Sequence, residues 1–291
     1  MKINWIGCKK KLLPQIISHL PKQFKTYYEP FLGSGVLYFY LQPSKAILND
    51  NDHQLITMWK QSLQNSHHFV NKVKAIENYI YQYHNQKNQK QTFKHLLNQY
   101  NQNAKKRKKL TRSAIFYVLN KYAFRGITRY DKQNNLKTNF GYKPKQKTPI
   151  INLNELVTFQ RHFQKKKHVL YCMDFRKVIA NSQQGDFLFI DPPYYYEGIK
   201  DKDFYQKPFS FEDHKLLALE LHQATKRGVK WLYINYETIP ILHLFSNCNI
   251  IKTKKQRTNI LPIKTSIKKS LLKIMSRTKN FHHYLPSFNW I

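Results

Sequence analysis

Four consecutive residues, Asp191-Pro192-Pro193-Tyr194, follow the apolar run Phe187-Leu188-Phe189-Ile190. Such a run reads as a buried strand, which puts Asp191 at a carboxyl end, where α/β sheets open the crevice that binds ligands. Two prolines fix φ and remove two backbone donors, leaving carbonyl acceptors on a stiff turn. A carboxylate, a carbonyl and an aromatic face together suit a flat ring bearing an exocyclic amino group, such as adenine or cytosine. The two acceptors take the two N–H bonds, and Tyr194 stacks on the ring. An ordinary Asp-Pro-Pro turn would explain the same residues without chemistry; the strand before it favours the functional reading.

A second constellation lies near the amino terminus, at Glu29-Pro30-Phe31-Leu32-Gly33-Ser34-Gly35. Glycines after a first strand let a ligand approach the backbone, and the following helix start favours an anionic group. The third glycine of a dinucleotide fingerprint is missing, which argues against a nicotinamide cofactor. Asp50 ends the next strand, where a carboxylate can accept hydrogen bonds from ribose hydroxyls. The pair of features points to a nucleoside-bearing cofactor.

The elements that must hold these residues follow an α/β pattern. The sequence predicts a short helix over Lys10 to Leu20, a strand over Thr26 to Glu29, and a helix from Val36 to Leu41. A strand at Ala46 to Leu48 and a helix to about Leu63 come next. From 66 to about 125 the periodicity is helical, with a polar break near Asn101 to Lys109, and Gly126 to Pro149 reads as a basic loop. Strands resume at His168 to Cys172, Asp186 to Ile190, Lys230 to Asn235, Ile250 to Thr253 and Ser266 to Met275. Helices are expected at Phe211 to Lys226 and Ile239 to Phe245. The expected fold is a doubly wound, mostly parallel Rossmann-like sheet, formed by residues 1–65 and 151–291 and split by a helical basic insert at 66–150.

Charge adds a partner. The chain of 291 residues carries 50 Lys and Arg against 16 Asp and Glu, a formal charge of +34. Codon bias alone can produce such a Lys-rich, Gly-poor composition, but the placement is uneven. Between Lys87 and Ile150 there are 17 Lys or Arg and one acid, Asp131; between Ile251 and Asn280 there are ten and no acid. Stretches of one sign suggest phosphate contact, so nucleic acid is the expected partner. No run of about 18 apolar residues offers a membrane span. Three scattered cysteines give neither a zinc spacing nor a disulfide framework, and no apolar signal run opens the chain, so the cytoplasm is expected. The histidine pairs His67-His68 and His282-His283 have no ligand partners at helical spacing, and no metal is expected.

Together these motifs resemble the Dam-type DNA adenine-N6 methyltransferases. Trp5-Ile6-Gly7-Cys8-Lys9 with Leu12-Leu13-Pro14 is similar to the family's amino-terminal Trp-Ala-Gly-Gly-Lys segment, and Pro30 to Gly35 to its first cofactor motif. Leu48-Asn49-Asp50, Met173-Asp174-Phe175, Asp191 to Tyr194 and Phe209 to His214 follow in the family's order. The resemblance spans nearly the whole chain. It implies S-adenosyl-L-methionine as cofactor, with Trp5 and Lys9 touching it (Lys9 near its carboxylate). Phe31 would contact it too, Gly33 and Gly35 would line the methionine moiety, Asp50 would hold the ribose, and Asp174 and Phe175 would meet the adenine end. Asp191 would stand between cofactor and target amine.

The implied reaction is direct methyl transfer to an adenine flipped out of double-stranded DNA, because its amine cannot be reached inside the stack. Asp191 and the Pro192 carbonyl would hold the amine, Pro193 would stiffen the turn, and Tyr194 would stack on the base. The insert would read DNA: Lys105, Lys106, Arg107, Lys108 and Lys109 on phosphates, Arg125 and Arg129 on base edges, and Tyr130 as a stacking wedge, with packing beneath the insert as its alternative. Asn139 falls in the same region. There Arg125-Gly126 replaces the family's Asn-Gly, and Thr138-Asn139-Phe140-Gly141 only partly matches Asn-Val-Pro-Phe-Gly, so target sequence is the property left open. Cys8 replaces a glycine of the first segment. Such an enzyme would act as a monomer, as the modification part of a restriction–modification system with a cognate endonuclease. Competing readings are a catalytically inactive DNA-binding relative, an N4-cytosine or RNA methyltransferase, and a peripheral membrane protein; no amphipathic basic helix supports the last.

Overall fold

The computed structural model of the chain describes residues 3–83, 85–102, 108–141, 150–195, 209–252 and 272–276. A 3-10 turn at Lys10–Leu12 leads into α1 (Leu13–Ser18), which starts on Pro14, a residue suited to a first helical turn. Then come β1 (Tyr27–Glu29), α2 (Val36–Leu41), β2 (Ala46–Asn49) and α3 (His53–Gln64). The helices α4 (Ser66–Tyr81), α5 (Gln86–Gln102) and α6 (Lys109–Lys121) form the region expected to be helical. A 3-10 turn at Phe124–Gly126 then leads to a small antiparallel ribbon, β3 (Arg129–Tyr130) and β4 (Leu136–Lys137).

The chain returns to the sheet through α7 (Leu153–Lys165), β5 (Val169–Tyr171), α8 (Phe175–Ala180) and β6 (Phe187–Ile190). It ends with α9 (Phe211–Lys226), β7 (Lys230–Tyr236), α10 (Ile239–Leu244), β8 (Asn249–Lys252) and β9 (Leu272–Ser276). Two helices and the ribbon add to what the spacing predicts. In α7, Leu153, Leu156, Phe159 and Phe163 fall on one face behind an Asn152 cap whose side chain accepts from the Glu155 N–H. The six-residue α8 is too short to carry a clear period.

The strands form one seven-stranded sheet in the order β5-β2-β1-β6-β7-β9-β8. The first five run parallel; β9 is antiparallel to both of its neighbours. Period-two alternation loads both faces. Tyr27, Phe187, Phe189, Leu232 and Ile234 join the core on one side, while Tyr28, Leu188, Ile190, Trp231 and Tyr233 join the other, with α8, α9 and α10. The first core does not stop at the sheet. It continues through Trp59 of α3 into Phe69 and Val73 of α4, Phe93 and Tyr100 of α5, and Ile115 to Leu119 of α6.

The order of connection reverses between β1 and β6. From β1 the chain moves outward through β2 to β5; from β6 it moves the other way to β7. Adjacent carboxyl ends at such a switch point leave a crevice that no crossover covers. Glu29 ends one of these strands, and Asp191 follows the other.

Candidate active site

One cavity opens at that switch point. Its lining includes Trp5, Lys9, Phe31, Gly33, Asp50, Asp174, Phe175, Asp191 and Pro193, so nine residues singled out from the sequence meet there. Glu29, Asp52 and Phe209 also line it.

The floor is built from the loops after β1 and β2. Gly33 has φ +48°, and a Cβ there would stand 2.8 Å from the Trp5 ring, so only glycine lets the indole close over this turn. Its N–H donates to Asp50 Oδ2 at 2.8 Å, and its carbonyl accepts from Trp59 Nε1 at 3.3 Å. Gly35, φ +63°, is buried just outside the cavity as the residue before α2, with no room for a Cβ beside Phe39. The tight turn, rather than an anion at the six-residue α2, accounts for both glycines. Asn49 ties the neighbouring loops together. Its amide donates to the Pro30 and Met173 carbonyls, and its Oδ1 accepts the Met173 N–H at 3.0 Å.

The acids of this floor are electrostatically stressed. Burial, and then the like charge of Asp52, push Asp50 up to about 7; burial pushes Asp52 up to about 6. Asp52 caps α3 by accepting the Leu55 N–H, and its other oxygen accepts the Tyr130 hydroxyl at 2.8 Å. Glu29 is buried, accepts the Tyr27 hydroxyl at 2.8 Å, and is raised well above the usual carboxylate range by burial. Glu29 was not among the site residues predicted; its position at the end of the first strand was the available signal.

An aromatic wall closes one side. Phe31 and Phe175 lie 5.3 Å apart, and Phe209 meets both at 5.6 Å. Asp174 caps α8 and forms a two-pronged ion pair with Arg176, which holds its carboxyl below the usual range.

At the opposite side is Asp191. Lys9 Nζ stands 2.8 Å from its Oδ1, donates to the Gly7 carbonyl, and lies 4.6 Å from the centroid of the Tyr194 ring. Burial raises the Asp191 carboxyl and Lys9 lowers it, with a net upward shift. Lys9 therefore pairs with the expected amine acceptor while lining the same cavity. Pro192 is buried, and Tyr194 packs edge-on against Tyr236 at 4.7 Å.

The residues expected to read DNA are scattered differently. Arg125 lies in the 3-10 turn after α6 and Arg129 is exposed on β3, beside Lys137 of β4. Lys108 and Lys109 are exposed at the start of α6; Lys105, Lys106 and Arg107 lie outside the described residues. Asn139 is exposed, and its carbonyl accepts the Phe124 N–H at 2.7 Å. Tyr130 requires a correction: it is 5% exposed, with its hydroxyl committed to Asp52, so it packs beneath the ribbon rather than offering a stacking face. The exposed aromatic of this segment is Phe124, at 52%, a residue the sequence reading passed over. Among the described residues, no helix is long and apolar enough to cross a membrane.

A Rossmann-like sheet with an acid-ended crevice at its switch point and an Asp-Pro-Pro-Tyr turn beside it defines a methyltransferase fold. Comparison with known proteins gives the family. Residues 5–259 match the sequence profile of the D12 class N6 adenine-specific DNA methyltransferases, and the chain belongs to this family. It is 27% identical over 260 residues to the type II methyltransferase M1.LlaDCHI of Lactococcus lactis subsp. cremoris, covering 88% of each chain. It is 30% identical over 236 residues to the DNA N-6-adenine-methyltransferase of Escherichia phage P1, covering 80% of this chain and 29% of that longer protein. To the DNA adenine methylase of Escherichia coli K12 it is 22% identical over 258 residues, with 88% and 87% covered. The chain is an adenine-specific DNA methyltransferase, a family that draws methyl groups from S-adenosylmethionine and acts on DNA.

Proposed function

We propose that this chain binds S-adenosylmethionine in the crevice between the ends of β1 and β6 and methylates N6 of an adenine flipped out of duplex DNA. The observation that carries the reading is the convergence of Trp5, Gly33, Asp50 and Asp191 on one cavity at the switch point. The donor set suits this cofactor: a carboxylate for ribose hydroxyls at Asp50, a glycine turn that admits backbone approach, and the Phe31–Phe175 pair for a flat base. When bound, the cofactor supplies an electrophilic methyl group.

The protein's own residues do the rest. Asp191 and the Pro192 carbonyl accept the two N–H bonds of the adenine amine and orient its lone pair. Tyr194, braced edge-on by Tyr236, offers its ring to the extruded base. Lys9, already on Asp191, keeps that carboxyl ionised against the pull of burial. Phe124, Arg125, Arg129 and Asn139 make up the DNA-reading edge, with Phe124 as the wedge where the base leaves. Lys105 to Lys109 add phosphate contacts.

Relatives named as type II methyltransferases favour a place in a restriction–modification system, with a cognate endonuclease acting on the same sequence. We place the enzyme in the cytoplasm as a monomer. The test is incubation of the purified chain with isotopically labelled S-adenosylmethionine and duplex DNA, followed by nucleoside analysis. Label in N6-methyldeoxyadenosine is expected; label in N4-methyldeoxycytidine, in RNA only, or nowhere refutes the reading.

A further inference from the structure

The Asp191 to Tyr195 turn has a mechanical problem. Pro192 and Pro193 offer no N–H, so their part of the turn cannot be pinned by its own backbone donors. Support has to come from behind, and three fully buried polar side chains stand there: His214 of α9, and Tyr233 and Asn235 of β7. Asn235 Oδ1 accepts two backbone N–H groups, Tyr195 at 3.2 Å and Tyr236 at 2.8 Å. Both are obligate donors, so the amide orientation is settled, and Nδ2 donates to the Tyr233 oxygen. Tyr233 then has its own proton to give, and the atom facing it at 3.3 Å is His214 Nδ1.

A ring that accepts at Nδ1 carries its proton on Nε2. That nitrogen is buried without a close hydrogen-bond partner, and the Pro193 carbonyl is the backbone acceptor that favours a proton on this ring. Burial outweighs it and takes the imidazole down to about 4, so the ring is neutral at physiological pH. Phe209, at 4.7 Å, and Tyr195, at 6.0 Å, hold the ring edge-on and fix its plane.

We propose that Asn235, Tyr233 and His214 form a one-directional hydrogen-bond chain that anchors the Asp-Pro-Pro-Tyr turn through the Tyr195 N–H, with the His214 ring fixed behind it. The chain thereby sets the plane of the Pro192 carbonyl that receives the target amine. These are positioning residues: none lines the cavity, and each acts through the turn. The proposal rests on the methyl-transfer reading above for its consequence, but the direction of the chain can be read without any reaction.

The experiment pairs a spectroscopic arm with a kinetic one. In the full chain with 15N-labelled histidine, the His214 ring is expected to be the neutral Nε2–H tautomer, unchanged from about pH 5 to about pH 8. In single-turnover methylation, Tyr233→Phe and His214→Leu are expected to lower the transfer rate about 10- to 100-fold while the dissociation constant for S-adenosylmethionine stays within about twofold. His214→Gln keeps one donor and one acceptor and is expected to recover most of the loss. An Nδ1–H tautomer, a ring titrating near its ordinary value, or a Tyr233→Phe enzyme with unchanged rate overturns the proposal. Should His214→Leu fail to fold, the tautomer and Tyr233→Phe still decide. A wild-type chain that transfers no methyl group sinks the functional reading, and the tautomer then judges the hydrogen-bond chain by itself.

Discussion

Lys9 Nζ lies 2.8 Å from Asp191 Oδ1, so a cation from the amino-terminal loop neutralises the carboxylate that follows β6. The pair joins residues 182 positions apart, and Lys9 is only 6% exposed. A buried carboxylate without it would take up a proton and lose acceptor strength toward an amine.

Lys9→Gln should therefore move the acid limb of the pH–rate profile upward. The sign follows from the balance at Asp191: burial raises its pKa, Lys9 lowers it, and removing Lys9 leaves burial unopposed. Single-turnover methylation across pH checks this. A variant whose acid limb coincides with that of wild type would remove Lys9 from the electrostatics of Asp191.

Cofactor affinity should fall in acid. Asp50 is pushed up to about 7 by burial and by Asp52, so the free site binds a proton as pH drops through that value. Ribose hydroxyls need the ionised form, and affinity should drop by up to about tenfold per pH unit below about 7. Asp52→Asn removes the like charge and should shift the fall to lower pH. Calorimetric titration of S-adenosylmethionine at several pH values measures both; a flat dependence in wild type would disconnect Asp50 from the cofactor.

Tyr130 and Phe124 should separate cleanly. Tyr130→Phe strips a buried hydrogen bond from Asp52 and should cost about 1 to 3 kcal/mol of stability, with DNA affinity little changed. Phe124→Ala should leave the melting temperature in place and weaken DNA binding. Thermal melts and DNA titrations of the two variants test the assignment, and the reverse pattern would restore Tyr130 as the wedge.

Replacing Lys105, Lys106, Arg107, Lys108 and Lys109 with Gln should reduce the slope of log affinity against log salt by about 2 to 4. Binding isotherms at graded salt give the slope directly. If it stays as in wild type, this segment lies off the DNA.

Much of the site could be read from the sequence because its residues are attached to strand ends. Phe187 to Ile190 reads as a strand by composition alone, and Asp191 inherits its place from it; Asp50 does the same after Ala46 to Asn49. What escaped was decided by long-range contacts. Tyr130 falls in a basic segment, so local charge suggests DNA, and only the fold brings Asp52 to its hydroxyl. His214 and Asn235 look like ordinary members of a helix and a strand until the two elements pack behind the proline turn. The ribbon of β3 and β4, only two residues per strand, is too short for any alternation to register.

The continuous core beneath α4, α5 and α6 bears on how this enzyme's sequence preference can change. Trp59, Phe69, Phe93 and Phe116 belong to the same packed cluster as Phe187 and Leu232 of the sheet. A graft of residues 66–150 from a relative would cut through that cluster and leave mismatched volumes on both sides of the joint. On the proposed reading, new specificities are expected from point changes on the exposed rim, at Phe124, Arg129, Lys137 and Asn139, rather than from exchanging modules.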